Sequence, residues 1–464
     1  MTALLALGAA LALAPVSTAV PGRVQDLAPR ADGSVDVATV DPTTGAQLSR
    51  LAPDGALGSP LALAPAGNLL DYAGQVDQPE TQDLVEQVAT LPTGGAVAVT
   101  WAGTHAAGGV TTVITSDAAG NVQPAVPVAG FDSTSQPTQL RTGPTGAVAI
   151  LSDRLVNGDT SQRITFRPAG SQVFTSATRL GPTVDWLSAG SSFNGARSRI
   201  ALGPDGGGAI LVLPDGNQRG AAALRRISPA GEIGPPIPTG LPEPAAVAGR
   251  IAFTPNGTLA VVLAAYNGNL DHPSTRLYAT SLTPGATRAT RLRLLGEVSS
   301  DAASEDPDEA MLSFTLAVGA PARVLITAPL DSIGKAGRHT PGTAVLEGNA
   351  GGKAKRVLTL PIGVGRYASG VIAADGSASL VAVHRPGDDV TAKPAKGDRP
   401  TVLSLHQPAG GRFGSPRVVS PAADRAAKGY VVGTPVALPD GTAAVPYRRG
   451  DGPDEASFVV RFTP

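Results

Sequence analysis

One short phrase recurs along the whole chain: a strand, a Pro/Asp/Gly-type turn, then a second apolar strand. It reads Ala31-Asp32-Gly33-Ser34-Val35, Pro92-Thr93-Gly94-Gly95-Ala96, Pro144-Thr145-Gly146-Ala147, Pro204-Asp205-Gly206, Pro255-Asn256-Gly257, Asp375-Gly376-Ser377 and Pro439-Asp440-Gly441, with a degenerate copy at Val318-Gly319-Ala320-Pro321. The shortest step between turn glycines is 51 residues (Gly206 to Gly257) and the longest 65 (Gly376 to Gly441). Self-similarity at such a period means that one supersecondary unit is repeated, and that no unit buries its apolar faces alone.

A second turn text follows the first in five of the units: Ala52-Pro53-Asp54-Gly55, Arg167-Pro168-Ala169-Gly170, Ser228-Pro229-Ala230-Gly231, Thr283-Pro284-Gly285 and Gln407-Pro408-Ala409-Gly410. Pro presets φ for the first turn position, and Gly accepts positive φ near its end. Two tight turns and one longer loop per unit make a four-stranded antiparallel meander, which is one propeller blade. Second strands such as Ala209-Ile210-Leu211-Val212-Leu213 and Ser379-Leu380-Val381-Ala382-Val383 are apolar without alternation. A strand reads that way when both sheet faces are covered. The expected fold is therefore all-β: a single β-propeller of four-stranded antiparallel blades, eight preferred and seven the alternative. Units start near residues 22, 83, 137, 196, 246, 309, 368 and 430, and the last has room for only three strands. Residues 81–88 and 421–428 are the only segments that read as short helices.

Composition narrows the function classes. The chain has no cysteine, which excludes disulfides, Cys–Zn sites and thiol catalysis. Its net charge of −1 gives no reason to expect nucleic acid or an acidic membrane as partner. Ala3 to Ala14 form an apolar run, too short for a membrane span. It is followed by Ser17-Thr18-Ala19, with small residues at −3 and −1 of a cut after Ala19. This predicts a signal peptide over 1–19, a propeller domain over 20–464, and a secreted or envelope-located mature chain without membrane insertion, expected to be a monomer.

The layout resembles the exported bacterial β-propeller repeat proteins of the Pro-Asp-Gly-turn type, over about residues 22–464. That resemblance implies fold and extracytoplasmic location and is nearly silent on activity. The Asp-box of sialidase-like propellers is not matched: Ser116-Asp117-Ala118-Ala119-Gly120 has other spacing and no Trp.

Strand direction alternates within a blade, so the first and third turns emerge on one face of the disc. The second loop and the blade-to-blade connection emerge on the other. The first face is all tight glycine turns, whereas the second carries the long polar loops, where a rigid scaffold usually holds function. Tyr266, Asn267, Asn269, Asp271, Arg385, Tyr447 and Arg448 are the candidate ligand-binding residues on that loop face. Asn267, Asn269 and Asp271 have the alternate spacing of Ca²⁺ loops, but the expected Gly is His272 and no terminal acidic residue follows, so an Asn-rich turn is preferred. His384 and His406 fall at opposite strand ends, and no zinc triad is expected. The acidic run Asp301, Glu305, Asp306, Asp308 and Glu309 reads as a solvated connector. No G-x-S-x-G, H-E-x-x-H or phosphate-binding glycine loop occurs. The preferred function is an exported non-catalytic binding or scaffold protein for a protein or glycan partner, without metal or cofactor. The alternative is a secreted carbohydrate-active hydrolase or lyase with its site at the axial mouth.

Overall fold

In the computed structural model of the protein, the second strand of nearly every unit is buried on both sides, and consecutive residues belong to different apolar layers. Ala96 and Ala98 pack with Ala38, Leu48 and Leu63 of the preceding unit, while Val97 and Val99 pack with Leu140, Val148 and Ile150 of the following one. Ala147, Ala149 and Leu151 in turn face Ile200 and Ile210. The period-2 geometry of a strand thus sends every other side chain to a different neighbour.

The structure describes residues 15–462 except 42, 67–87, 103–109, 132–134, 157–158, 181–183, 186–197, 214–221, 242–245, 267–273, 300–313, 331, 334–338, 341, 362–367, 385–400, 421–429 and 450–455. Within them, eight antiparallel sheets of four strands form eight blades. Blade 1 is Arg23–Pro29, Val35–Asp41, Gly45–Leu51 and Leu61–Ala64, in that order from axis to rim. The inner strands of blades 2 to 7 are Val88–Thr90, Ser135–Thr142, Arg199–Leu202, Ala246–Phe253, Thr315–Gly319 and Ala368–Ile372. In blade 8 the inner strand comes in two pieces, Tyr430–Val432 and Val436–Ala437. Each inner strand touches the next around the axis, and that of blade 8 returns to blade 1. Eight apolar layers, one per blade junction, make up the core among the described residues. Both segments that read as helices fall outside the described residues, apart from Val88, which opens the inner strand of blade 2.

Eight blades is thus the outcome, but the seam is built differently from what the sequence suggested. Blade 8 takes its outermost strand from the other end of the chain. Val16–Val20 pairs antiparallel with Ala456–Phe462, from Val16 opposite Arg461 to Val20 opposite Ser457. Val16 to Ala19, read from sequence as the tail of the leader, and Val20, read as the first residue of the domain, pair with the last strand and so close the ring.

The recurring turns form as their text predicts. The amides of Gly33, Gly94, Gly146, Gly206, Gly257, Gly376 and Gly441 each donate to the carbonyl three residues back. The glycines sit at positive φ, from 79° at Gly441 to 90° at Gly94. Gly95 is also left-handed, at 88°, and a Cβ there would run into the Ser116 carbonyl oxygen, whereas one on Gly441 would meet nothing within 4 Å. Gly441→Ala should therefore lose only about 1 kcal/mol, the cost of holding an L-residue at positive φ. Gly95→Ala should lose distinctly more, because backbone must also shift. Urea unfolding of both variants checks this; equal losses would contradict the turn geometry.

Candidate functional site

An inner strand pairs with its own sheet on one side only. Its other edge faces the axis and leaves backbone groups to be satisfied by something else. Here polar side chains of adjacent blades do so. The Asp26 carboxylate of blade 1 accepts from the Thr90 amide at 2.8 Å and the Thr90 hydroxyl at 2.6 Å, both on blade 2. Gln25 accepts from the Val88 amide at 3.2 Å. The Thr142 hydroxyl of blade 3 donates to the Thr90 carbonyl at 2.8 Å. The Gln139 amide group spans the next junction, donating to the Ser198 carbonyl at 2.6 Å and accepting from the Ile200 amide at 3.3 Å. Arg199 Nε donates to the Gly249 carbonyl at 3.3 Å, and Thr327 Oγ1 to the Ala368 carbonyl at 2.8 Å.

These ties leave a charged lining. The described inner strands carry Arg23, Arg141, Arg199 and Arg250 against a single carboxylate, Asp26. The inner strands run from the loop face to the turn face. Counted back from the turn glycines, Arg23 lies ten positions before Gly33, Arg199 and Arg250 seven before Gly206 and Gly257, and Arg141 five before Gly146. Arg23 is therefore nearest the loop face, Arg199 and Arg250 share one height midway, and Arg141 is nearest the turn face. The Arg141 pKa is lowered to about 10, chiefly by burial among the converging strands and secondarily by nearby Arg199, with Asp26 opposing both. Burial likewise raises the Asp26 pKa, against the opposing effect of its bonds from Thr90 and Leu27 and of Arg141. Arg250 lies over the Phe314 ring, 5.1 Å from its centroid, and donates to the Gly249 carbonyl at 3.0 Å. The described inner strands thus carry more cationic than anionic groups, and where burial reduces contact with water, as at Arg141, a carboxylate or sulfate gains more than in bulk water.

The turn face is occupied differently. Asp32, Asp117 and Asp375 cap their own turns, and bonds from Ser34, Asn121 and Ser377 respectively hold these carboxyls below the usual range. At Asp440 burial pushes upward, but Thr442 and Arg461 outweigh it. Arginines on this face staple adjacent blades. Arg461 of blade 8 donates to the Gly33 carbonyl of blade 1 at 2.9 Å and pairs with Asp440. Arg323 of blade 6 holds Glu347 at 2.9 Å and reaches Gln407 of blade 7 at 2.7 Å, while Arg226 of blade 4 donates to the Thr283 carbonyl of blade 5 at 2.6 Å. A shallow groove of about 750 Å³ runs over that last junction, lined by Pro204, Pro229, Phe253, Pro255 and Pro284.

Of the residues singled out from sequence, Asn267, Asn269, Asp271 and Arg385 lie outside the described residues, as does the acidic run 301–309. Tyr266 ends the second strand of blade 5, opposite Thr275. Tyr447 is not a rim residue: it is 1% exposed, stacks on Phe458 at 5.1 Å, and its hydroxyl shares a 2.8 Å hydrogen bond with Ser17 of the seam strand. The loop was read as starting at Tyr447, whereas the strand runs on to Arg449 and carries the ring into the blade. Arg448 is half-buried in the same strand, opposite Ser457. His384 and His406 are apart, opposite Thr401 and Ser379 respectively. No metal-binding group of three or more His, Asp or Glu occurs among the described residues, and no helix of the described chain is long and apolar enough to cross a membrane.

The axial residues were missed, although a signal for them exists. Asp26, Gln87, Gln139, Arg199, Arg250, Ser369 and Thr434 each stand seven positions before a turn glycine (Gly33, Gly94, Gly146, Gly206, Gly257, Gly376 and Gly441), so one position of the repeat is polar in seven of the eight copies.

No family profile and no curated protein matches this chain. Among solved structures, the Dos1 propeller is similar at a TM-score of 0.47 and 8% identity, covering 97% of this chain and 95% of that one. The polysaccharide lyase Uly1 is similar at 0.44 and 11%, covering 95% and 90%. An ulvan lyase of family PL25 is similar at 0.42 and 12%, covering 87% and 96%.

The two classes of aspartate make opposite contributions to pH dependence. The turn carboxyls are depressed below 3.8, so their stabilisation is complete above that value and lost as pH falls through their folded pKa. Asp26 is raised above 3.8, so its contribution increases as pH falls toward that value. The melting temperature of Asp26→Asn relative to wild type should therefore become less favourable between pH 7 and pH 4. A difference independent of pH would show that Asp26 is not buried as described.

Proposed function

We propose that this protein is an extracytoplasmic binding scaffold that engages a carboxylate-bearing ligand, an acidic glycan segment or peptide side chain, at the loop-face mouth of its axial bore. The observation that carries this reading is the placement of Arg23, Arg141, Arg199 and Arg250 on the inner strands of four blades, against one carboxylate among the described inner-strand residues. The turn-face arginines Arg226, Arg323 and Arg461 staple adjacent blades. The long loops containing Asn267, Asn269, Asp271 and Arg385 follow second strands, which end on the loop face, and would form the rim that selects among acidic ligands. Export is proposed from the apolar Ala3–Ala14 run.

Titration calorimetry with a uronate oligosaccharide and with an acidic peptide tests the reading. Wild type should bind at least one of them, weakening as salt rises. Arg199→Gln should weaken binding about tenfold, equivalent to about 1.4 kcal/mol, and the loss of its Nε bond to the Gly249 carbonyl should lower the melting temperature without unfolding the chain. Asp26→Asn should tighten it, because the one opposing charge is gone. No binding to either probe would sink the proposal. Release of unsaturated uronate products would show a lyase instead.

A further inference from the structure

The seam strand lies across the junction at which the leader was expected to be cut. A cut after Ala19 would remove four of the five residues of Val16–Val20. What they hold is specific. The Ser17 hydroxyl meets the Tyr447 hydroxyl at 2.8 Å within blade 8. The Thr18 hydroxyl donates to the Gly55 carbonyl, in the outer turn of blade 1, at 2.8 Å. Val20 is 7% exposed and packs in the layer between blades 8 and 1, with Leu27, Val35, Leu51, Leu438 and Val459. Without this strand, Ser457-Phe458-Val459-Val460 becomes an unpaired, apolar, β-branched edge. That is the kind of edge proteins cover to avoid pairing with other chains.

We propose that Val16–Val20 is a permanent element of the mature fold, so that any leader is removed upstream of Val16 and not after Ala19. The inference builds on the export reading for its cleavage step, but the role of the strand does not depend on it. Small residues at −3 and −1 also occur upstream, in Ala10-Leu11-Ala12.

Position 19 separates the possibilities, because Ala19 is exposed on the strand while Val20 is buried. A glutamate at 19 is tolerable on the folded surface but blocks a peptidase that needs a small residue at −1. The full-length precursors of wild type, Ala19→Glu and Val20→Asp are expressed in an export-competent bacterium, and N-termini and melting temperatures are measured. Wild type and Ala19→Glu should share one N-terminus at or before Val16 and one melting temperature. Val20→Asp should melt lower or fail to accumulate. Folded wild type beginning at Val20, with Ala19→Glu trapped as precursor, would overturn the proposal, as would an unchanged melting temperature for Val20→Asp. Intact chain retaining Met1 in the cytoplasm would withdraw export and uphold the strand's permanence.

Discussion

Each blade has an inner edge that its own sheet cannot pair, and eight such edges meet at the axis. The rest of the molecule depends on how they are satisfied. Where the sheets converge there is no room for another strand, so side chains from the neighbouring blade stand in for one. Gln139 does this most completely, its amide group matching the carbonyl of Ser198 and the amide of Ile200 as a paired strand would. Asp26 and Thr90 do it with a charge-assisted pair. Each tie contributes about 1 kcal/mol net, but leaving the same groups unpaired would cost more. The polar axis is therefore a structural necessity first, and its chemistry follows from which polar residues were used.

That choice determines the electrostatics. An all-amide lining would satisfy the same edges without field. Arginine at blades 3, 4 and 5 satisfies carbonyls and also places positive charge on the inner strands around the axis. The near-zero net charge of the whole chain hides this, because the compensating carboxylates sit elsewhere, Asp32, Asp375 and Asp440 among them as caps of the tight turns. Total charge is additive, whereas potential depends on where the charges fall.

Ring closure follows a similar logic. Layers of apolar side chains between blades are equivalent in kind all the way round, from Ala38 and Ala98 at one junction to Leu27 and Val459 at another. The last junction differs only in being joined by non-covalent contacts between chain ends. Tyr447 belongs to that closure: its ring stacks on Phe458 and its hydroxyl binds the strand that seals blade 8. A tyrosine next to two arginines near a loop looks like a ligand contact in sequence. Which side of the strand end it falls on is a matter of one or two residues, and local text does not resolve that.

The sequence by itself determined the blade. Turn glycines at fixed offsets and strands apolar on both faces leave a stacked meander as the way to bury every face. Inner strands begin at residues 23, 135, 246 and 368, within two positions of where the repeat text places them. These are local properties: the φ a turn demands, the period a strand imposes. Only the tertiary structure decided that Val16–Val20 seals the ring, that Tyr447 is buried, and that arginines from four repeats lie on the inner strands around one axis. Those facts join residues up to 430 positions apart. The strand text Val16-Ser17-Thr18-Ala19-Val20 satisfies a peptidase pattern and a β-strand equally well, and only the open edge of Ala456–Phe462 distinguishes the two.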